Sequence, residues 1–250
     1  MDAFDLAKGI EWQEATGHRL SKLILPEEGQ VGFTQLATTA LGIQFTNRVS
    51  RTALARRSNL TNGSGVALGD TNGDGLCDIY FCRLQGDNEL YLNQGGWRFQ
   101  LAPNANGAAA NGALTRGAAF ADVNGDGSLD LLLTTFRKGT LCLLNDGEGQ
   151  FTDATAAAGL ESRASGTTLA LGDVDRDGDL DLLVTQMEGP VRLWRNDGGN
   201  ESAWIERRLW DPRVSRETPG GQVVVVVGEQ RLLGLASSSN GYLTSGPATV

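Results

Sequence analysis

The chain has 250 residues, 34 of them glycine, and a formal net charge of −9 from 30 acidic and 21 basic side chains. That balance excludes nucleic-acid binding by simple phosphate attraction, which needs a basic field. No stretch approaches the roughly 18 apolar residues of a membrane-spanning helix, and three cysteines with neither CxxC spacing nor a histidine partner give no zinc site.

Residues 1–30 form an N-terminal segment that carries charges where a signal peptide has an apolar core. It holds the single histidine, His18, so Ser-His-Asp or Cys-His chemistry has nothing to build on. From Gly32 the run GFTQLATTALGIQF reads as the last strand of a sheet, opened by Phe33. Arg48, Arg51, Arg56 and Arg57 then fall in a stretch read as a solvated loop rather than a phosphate patch.

Three acidic loops follow: DTNGDGLCD from Asp70, DVNGDGSLD from Asp122 and DVDRDGDLD from Asp173, each D-x-[DN]-x-D-G-x-x-D. A hard divalent cation takes six to eight oxygens, and a tight loop supplies them from alternate side chains plus a backbone carbonyl. The first loop offers Asp70, Asn72, Asp74, the Leu76 carbonyl and Asp78. The second offers Asp122, Asn124, Asp126, the Ser128 carbonyl and Asp130. The third offers Asp173, Asp175, Asp177, the Asp179 carbonyl and Asp181; its extra carboxylate predicts the tightest of up to three Ca2+ ions. Setting aside the ten aspartates at ligand positions leaves 20 acidic residues against 21 basic ones, so the acidity is local to the loops.

An EF-hand closes such a loop with a glutamate at position 12 between helices. Here position 12 is Phe81, Leu133 or Val184, inside short apolar runs that read as buried strands. The first aspartates stand 52 and 51 residues apart. Counting 23 onward from each gives Asn93, Asn145 and Asn196, and Phe99 and Phe151 lie six beyond the first two. One unit is a strand, the acidic loop, a second strand, a third ending in Asn, a Gly-rich turn and a fourth opening on Phe. Units are expected near 62–103, 115–157 and 167–209, with Trp97, Trp194 and Trp204 packing from strand positions. Four strands per repeat of this period predict an all-β fold of β-propeller-type blades, three of them visible.

These loops and their period resemble the FG-GAP repeats of integrin α-subunits and their bacterial VCBS relatives, over residues 31–199. The resemblance implies calcium held between the first two strands of each blade, and a ring of about seven blades where this chain has three. Beyond it, WIERRLW from Trp204 leads to a predicted β-ribbon, Val223–Val227 returning through Arg231–Leu235. Residues 200–250 resemble the ASPIC/UnbV segment of proteins similar to the cartilage acidic protein family, and the segment is expected to be truncated at Val250.

Cys77, Cys82 and Cys142 are expected as buried thiols, with a disulfide left open. Two functions follow from the resemblance. The first is a non-enzymatic, calcium-stabilised binding or adhesion module for a protein or carbohydrate ligand, extracellular or periplasmic, without membrane insertion. Sites of this type bind in roughly the 0.1 to 1 mM range, which suits extracellular calcium. The alternative is a polysaccharide lyase on the same scaffold, for which Arg176 is the one basic residue inside a loop.

Overall fold

The computed structural model describes residues 32–56, 64–103 and 106–198, together with the backbone of six short strands outside them. Strand β1 (Trp12–Ala15) pairs antiparallel with β2 (His18–Ser21). A six-residue helix, α1 (Arg51–Arg56), precedes the repeats.

The repeats are three antiparallel sheets. The first runs in the order β3 (Val66–Gly69), β4 (Asp78–Phe81), β5 (Glu89–Asn93), β6 (Phe99–Leu101). The second is β7 (Thr115–Ala121), β8 (Asp130–Thr135), β9 (Thr140–Asn145), β10 (Phe151–Asp153), again in chain order. The third has β11 (Gly166–Gly172), β12 (Asp181–Gln186) and β13 (Arg192–Trp194). Each acidic loop joins the first two strands of its sheet, closed by the register pairs Gly69↔Asp78, Ala121↔Asp130 and Gly172↔Asp181.

Sequence explains how the sheets stack. Strand β8, DLLLTT, is buried at every position because the second sheet is covered on both faces, and its three leucines fill the two cores. Its buried polar side chains are hydrogen-bonded: Asp130 accepts the Val123 and Asn145 N–H groups, Thr134 Oγ1 accepts the Gly117 N–H, and Thr135 Oγ1 donates to the Gly139 carbonyl. Strand β4 alternates between buried and half-buried: Tyr80 faces the second sheet, while Phe81 on the other face is partly covered by Phe45, stacked on it at 4.6 Å. Between the first and second sheets, Ala67, Tyr80 and Leu90 meet Ala118, Leu131, Leu133 and Leu143. On the other side, Ala119, Leu132 and Cys142 meet Leu169, Leu182 and Val184. Each leucine fully buried in this way contributes about 2 kcal/mol. The first strands of neighbouring sheets approach one another, and the Gly65 N–H, just ahead of β3, donates to the Arg116 carbonyl within β7 at 2.5 Å.

Several expectations change. No strand forms at 32–37 and Phe33 is wholly exposed, because no strand among the described residues flanks it there. What the segment does share with the end of a repeat is its turn: Ile43 N–H donates to Thr38 O at 3.0 Å, as Leu160 N–H does to Thr155 O. Residues 51–56 are helical rather than a loop; the stretch is alanine-containing, and Ser50 Oγ accepts the Ala53 N–H at 3.2 Å in the manner of an N-cap. Trp97 does not pack from a strand. It sits at φ 59° in the turn between β5 and β6, 67% exposed. Trp194 does pack against the second core. The three cysteines are free thiols, with Cys82 and Cys142 in different cores.

None of the described sheets curls into a closed barrel, so what stands is an all-β stack of three sheets. The fourth strand expected from Trp204 lies outside the described residues, as does most of the ASPIC/UnbV-like segment. Within that segment β14 (Trp210–Asp211) pairs with β15 (Arg216–Glu217). The predicted ribbon is present in the backbone as β16 (Gln222–Val227) paired with β17 (Gln230–Leu235). Among the described residues no helix is long and apolar enough to cross a membrane.

Candidate metal centre

The three loops adopt one conformation. Loop positions four and six are left-handed throughout: Gly73 and Gly75, Gly125 and Gly127, Arg176 and Gly178. At Gly75 (φ 83°) a Cβ would meet nothing within 4 Å, so glycine is required there by backbone conformation and not by space.

That conformation turns backbone N–H groups onto the carboxylates. The aspartate at position one accepts the N–H of position six: Gly75 to Asp70 Oδ2 at 2.8 Å, Gly127 to Asp122 at 2.9 Å, Gly178 to Asp173 at 3.2 Å. The aspartate at position five accepts the N–H of position seven: Leu76 to Asp74 and Ser128 to Asp126 at 2.8 Å, Asp179 to Asp177 at 3.1 Å. The position-five bonds are Asx turns, and together with the position-one bonds they hold the carboxylates against the loop backbone.

Position nine serves a second purpose. Asp78, Asp130 and Asp181 are at most 3% exposed. One oxygen of each accepts the N–H of loop position two: Thr71, Val123 or Val174, at 2.9 to 3.0 Å. The other accepts the backbone N–H of the asparagine 23 residues after the loop begins: Asn93 at 2.8 Å, Asn145 and Asn196 at 2.9 Å. Each of these aspartates thus fastens loop, second strand and third strand together. Burial is also the main reason that the Asp130 carboxyl is pushed up to about 6; the Asn145 and Val123 N–H groups oppose the shift, and the charges of Asp126 and Asp122 add to it. Asp70, Asp78 and Asp122 are raised in the same direction, burial again coming first.

The loops differ at position three. Asn72 Nδ2 donates to Asp74 Oδ2 at 3.1 Å and Asn124 Nδ2 to Asp126 Oδ2 at 2.8 Å. In the third loop Asp175 replaces the asparagine and has no such hydrogen to give. Asp173, Asp175 and Asp177 bring carboxylate oxygens within 4.8 Å of one another, a cluster compatible with a divalent ion. Asp175 is raised from its ordinary value, by desolvation and then by the charges of Asp177 and Asp181. Its side chain is exposed, so the neighbouring charges carry that argument. Arg176 is exposed at φ 66°.

The sequence did not disclose what the repeated asparagines do. Asn145 Nδ2 donates to the Thr71 carbonyl of the preceding loop at 2.8 Å, and Asn196 Nδ2 to the Val123 carbonyl at 2.8 Å. Each clasps its own sheet to the one before. The constant offset of 23 with an amide side chain was the signal.

Residues 70–133 and 122–184 each match the FG-GAP-like repeat, and residues 165–205 match the FG-GAP repeat. The chain is an FG-GAP repeat protein. It is 25% identical over 195 residues to cartilage acidic protein 1 of Mus musculus, covering 73% of this chain and 30% of that protein. To cartilage acidic protein 1 of Homo sapiens it is 26% identical over 197 residues, with 73% and 29% covered. The FG-GAP chain therefore spans less than a third of the curated relatives it matches. On this membership it is a repeat module.

Proposed function

We propose that the three loops are calcium sites and that the chain is a calcium-stabilised binding module of extracellular type. The observation that carries this reading is the shared backbone of the three loops and their shared hydrogen bonds from position six to position one and from position seven to position five, each loop presenting hard oxygen donors. The donor sets are Asp70, Asn72, Asp74, the Leu76 carbonyl and Asp78; Asp122, Asn124, Asp126, the Ser128 carbonyl and Asp130; and Asp173, Asp175, Asp177, the Asp179 carbonyl and Asp181. Position nine remains able to take part, since a carboxylate oxygen that accepts one N–H keeps a second lone pair. A bound ion supplies positive charge that offsets mutual repulsion among buried and crowded carboxylates. The residues themselves fasten the first two strands of each sheet.

The stacking of like sheets through their faces supports reading them as successive blades of a propeller-type array, with residues 31–199 as the repeat region and 200–250 as an ASPIC/UnbV-like segment. Similarity to cartilage acidic protein 1 supports an extracellular setting; a protein or carbohydrate ligand belongs to this reading as its partner. Calorimetric titration with calcium is the test. Heat from up to three sites, together with a higher melting temperature in calcium than in chelator, is the expected result, because an ion bound only by the folded state stabilises it. Identical melting curves and no heat sink the reading.

A further inference from the structure

The three position-nine aspartates lie on one continuous line of hydrogen bonds that crosses all three sheets. Asp78 accepts the Thr71 N–H at 2.9 Å, and the Thr71 carbonyl accepts the Asn145 side-chain amide at 2.8 Å. The Asn145 backbone N–H donates in turn to Asp130 at 2.9 Å. From there the pattern repeats. Asp130 accepts the Val123 N–H at 3.0 Å, the Val123 carbonyl accepts the Asn196 amide at 2.8 Å, and the Asn196 N–H donates to Asp181 at 2.9 Å. Each of these two asparagines therefore has its backbone on the position-nine carboxylate of its own loop and its side chain on position two of the loop before.

The turn after β9 is wedged between the same two loops. Asn145 Oδ1 accepts the N–H groups of Gly147 and Gly149 at 3.3 and 3.1 Å. A Cβ on Gly147 would meet Ser128 Oγ of the second loop at 3.0 Å, and one on Gly149 would stand 3.8 Å from the Asn72 Cβ of the first. Neighbouring loops are thus joined by packed atoms as well as by hydrogen bonds, the two kinds of contact through which one site can act on another.

We propose that Asn145 and Asn196 are positioning residues that each serve two calcium loops at once, so that neighbouring loops fill cooperatively. The proposal rests on the calcium reading above and adds to it a dependence of one site on the next. A position-nine carboxylate has to be held in one orientation to present an oxygen to an ion, and the N–H groups of position two and of the asparagine hold it by its two oxygens. Ordering Asp130 in this way also orders Asn145, and with it the Thr71 peptide that hydrogen-bonds Asp78. The neighbouring loop then has less left to order when it fills, which is positive cooperativity without a change of fold. Linkage makes the effect mutual, so the factor by which a filled loop two raises the affinity of loop one equals the factor in the other direction. A change of about fivefold, near the lower end of typical couplings, is expected for each pair. Since each asparagine joins only adjacent loops, loop two acts on loops one and three by separate routes.

The test follows the backbone amide signals of Gly75, Gly127 and Gly178, one reporter in each loop, by nuclear magnetic resonance during calcium titration of the full chain. Loop two is emptied by Asp122→Ala together with Asp126→Ala. The midpoints at Gly75 and Gly178 are then expected to move about fivefold toward higher calcium. In an Asn145→Ala background, emptying loop two is expected to leave the Gly75 midpoint where it was, while the Gly178 midpoint still responds through Asn196. Asn196→Ala is expected to give the converse, and it carries the test if Asn145→Ala does not fold, since Asn196 is only partly buried. A general loss of stability would move both reporters alike, so the split separates positioning from mere support of the fold. Midpoints at Gly75 and Gly178 that ignore loop two overturn the coupling and leave the calcium sites standing. A Gly75 midpoint that still follows loop two after Asn145→Ala overturns the role of that asparagine. Glycine signals that do not move with calcium in the unaltered chain overturn the proposal and the calcium reading together.

Discussion

The side-chain amide of Asn145 donates to the Thr71 carbonyl at 2.8 Å across 74 residues, and also to the Leu129 carbonyl of its own sheet at 3.0 Å. Its oxygen meanwhile accepts the N–H groups of Gly147 and Gly149 at 3.3 and 3.1 Å. One buried side chain thereby joins two loops and the turn that follows β9.

Asn145→Ala should accordingly destabilise the fold by about 2 to 3 kcal/mol, because it leaves buried donors and acceptors without partners. Asn93 makes no cross-sheet bond among the described residues, so Asn93→Ala should cost about 1 kcal/mol less. Urea denaturation of the two variants makes the comparison. Equal losses would mean that the clasp between sheets contributes nothing of its own.

Much of this architecture was legible from the loops. Their period placed the three sheets, and the apolar runs after Asp78, Asp130 and Asp181 became β4, β8 and β12. What could not be read were properties of stacking. The clasp depends on which carbonyl a neighbouring sheet presents, and nothing local to Asn145 says so. Phe33 shared the side chain of Phe151 without its hydrogen-bonding neighbour, so similarity of residue did not give similarity of strand. Trp97 followed two glycines into a left-handed turn, where turn geometry overrode its preference for a packed strand. Position nine reads as a ligand from its residue type alone, while the fold makes it a structural fastening as well.

Two glycines separate backbone strain from steric exclusion. Gly75→Ala meets no atom within 4 Å, so its cost is that of a left-handed alanine, about 1 to 2 kcal/mol. At Gly107 (φ 82°) an added Cβ would fall 1.9 Å from the Phe151 carbonyl oxygen, and backbone must move. Gly107→Ala should therefore cost more than Gly75→Ala and lower the melting temperature further. The reverse order would show that the contact between residue 107 and β10 yields easily.

Thiol chemistry should report the cores. Burial pushes the Cys82 thiol up to about 12; burial followed by the charges of Asp130 and Asp153 pushes Cys142 up to about 11. Cys77, half-buried in the first loop, is pushed up to about 11 by burial and then by Asp78 and Asp70. At pH 8 almost no thiolate exists at any of them, and the thiolate is the reacting form. Iodoacetamide should label the native protein slowly and at Cys77 first, with Cys82 and Cys142 labelled only on unfolding. Mass spectrometry of labelled peptides checks the order, and early labelling of Cys82 would contradict its burial.

Stability without divalent ions should rise on mild acidification. Asp130 ionises near 6 when folded and near 3.9 when unfolded, so the folded state holds its proton more tightly. Below about pH 4 the group is protonated in both states and imposes no penalty. As pH climbs through 6 the buried charge develops, costing up to about 3 kcal/mol for a shift of this order. Asp70, Asp78 and Asp122 act in the same sense. Metal-free protein should thus be more resistant to urea at pH 5 than at pH 7, and saturating calcium should abolish or reverse the difference. A metal-free protein that weakens steadily from pH 7 to pH 5 would contradict the assignment.

The third loop should be the strongest calcium site. Its three carboxylates stand within 4.8 Å of one another, and Asp175 cannot do what Asn72 and Asn124 do, which is donate a hydrogen to the neighbouring aspartate. Without an ion this loop is the most repulsive of the three; with one it offers the most negative charge, and affinity in such sites follows charge count. Changing Asp173 and Asp177 together to Ala should remove the tightest phase of a calcium titration and most of the calcium-induced rise in melting temperature. The matching change of Asp70 and Asp74 should remove a weaker phase. If the first-loop variant loses the tighter phase instead, the asparagines are better ligands here than the added charge, and the order of the sites is set by geometry rather than by carboxylate number.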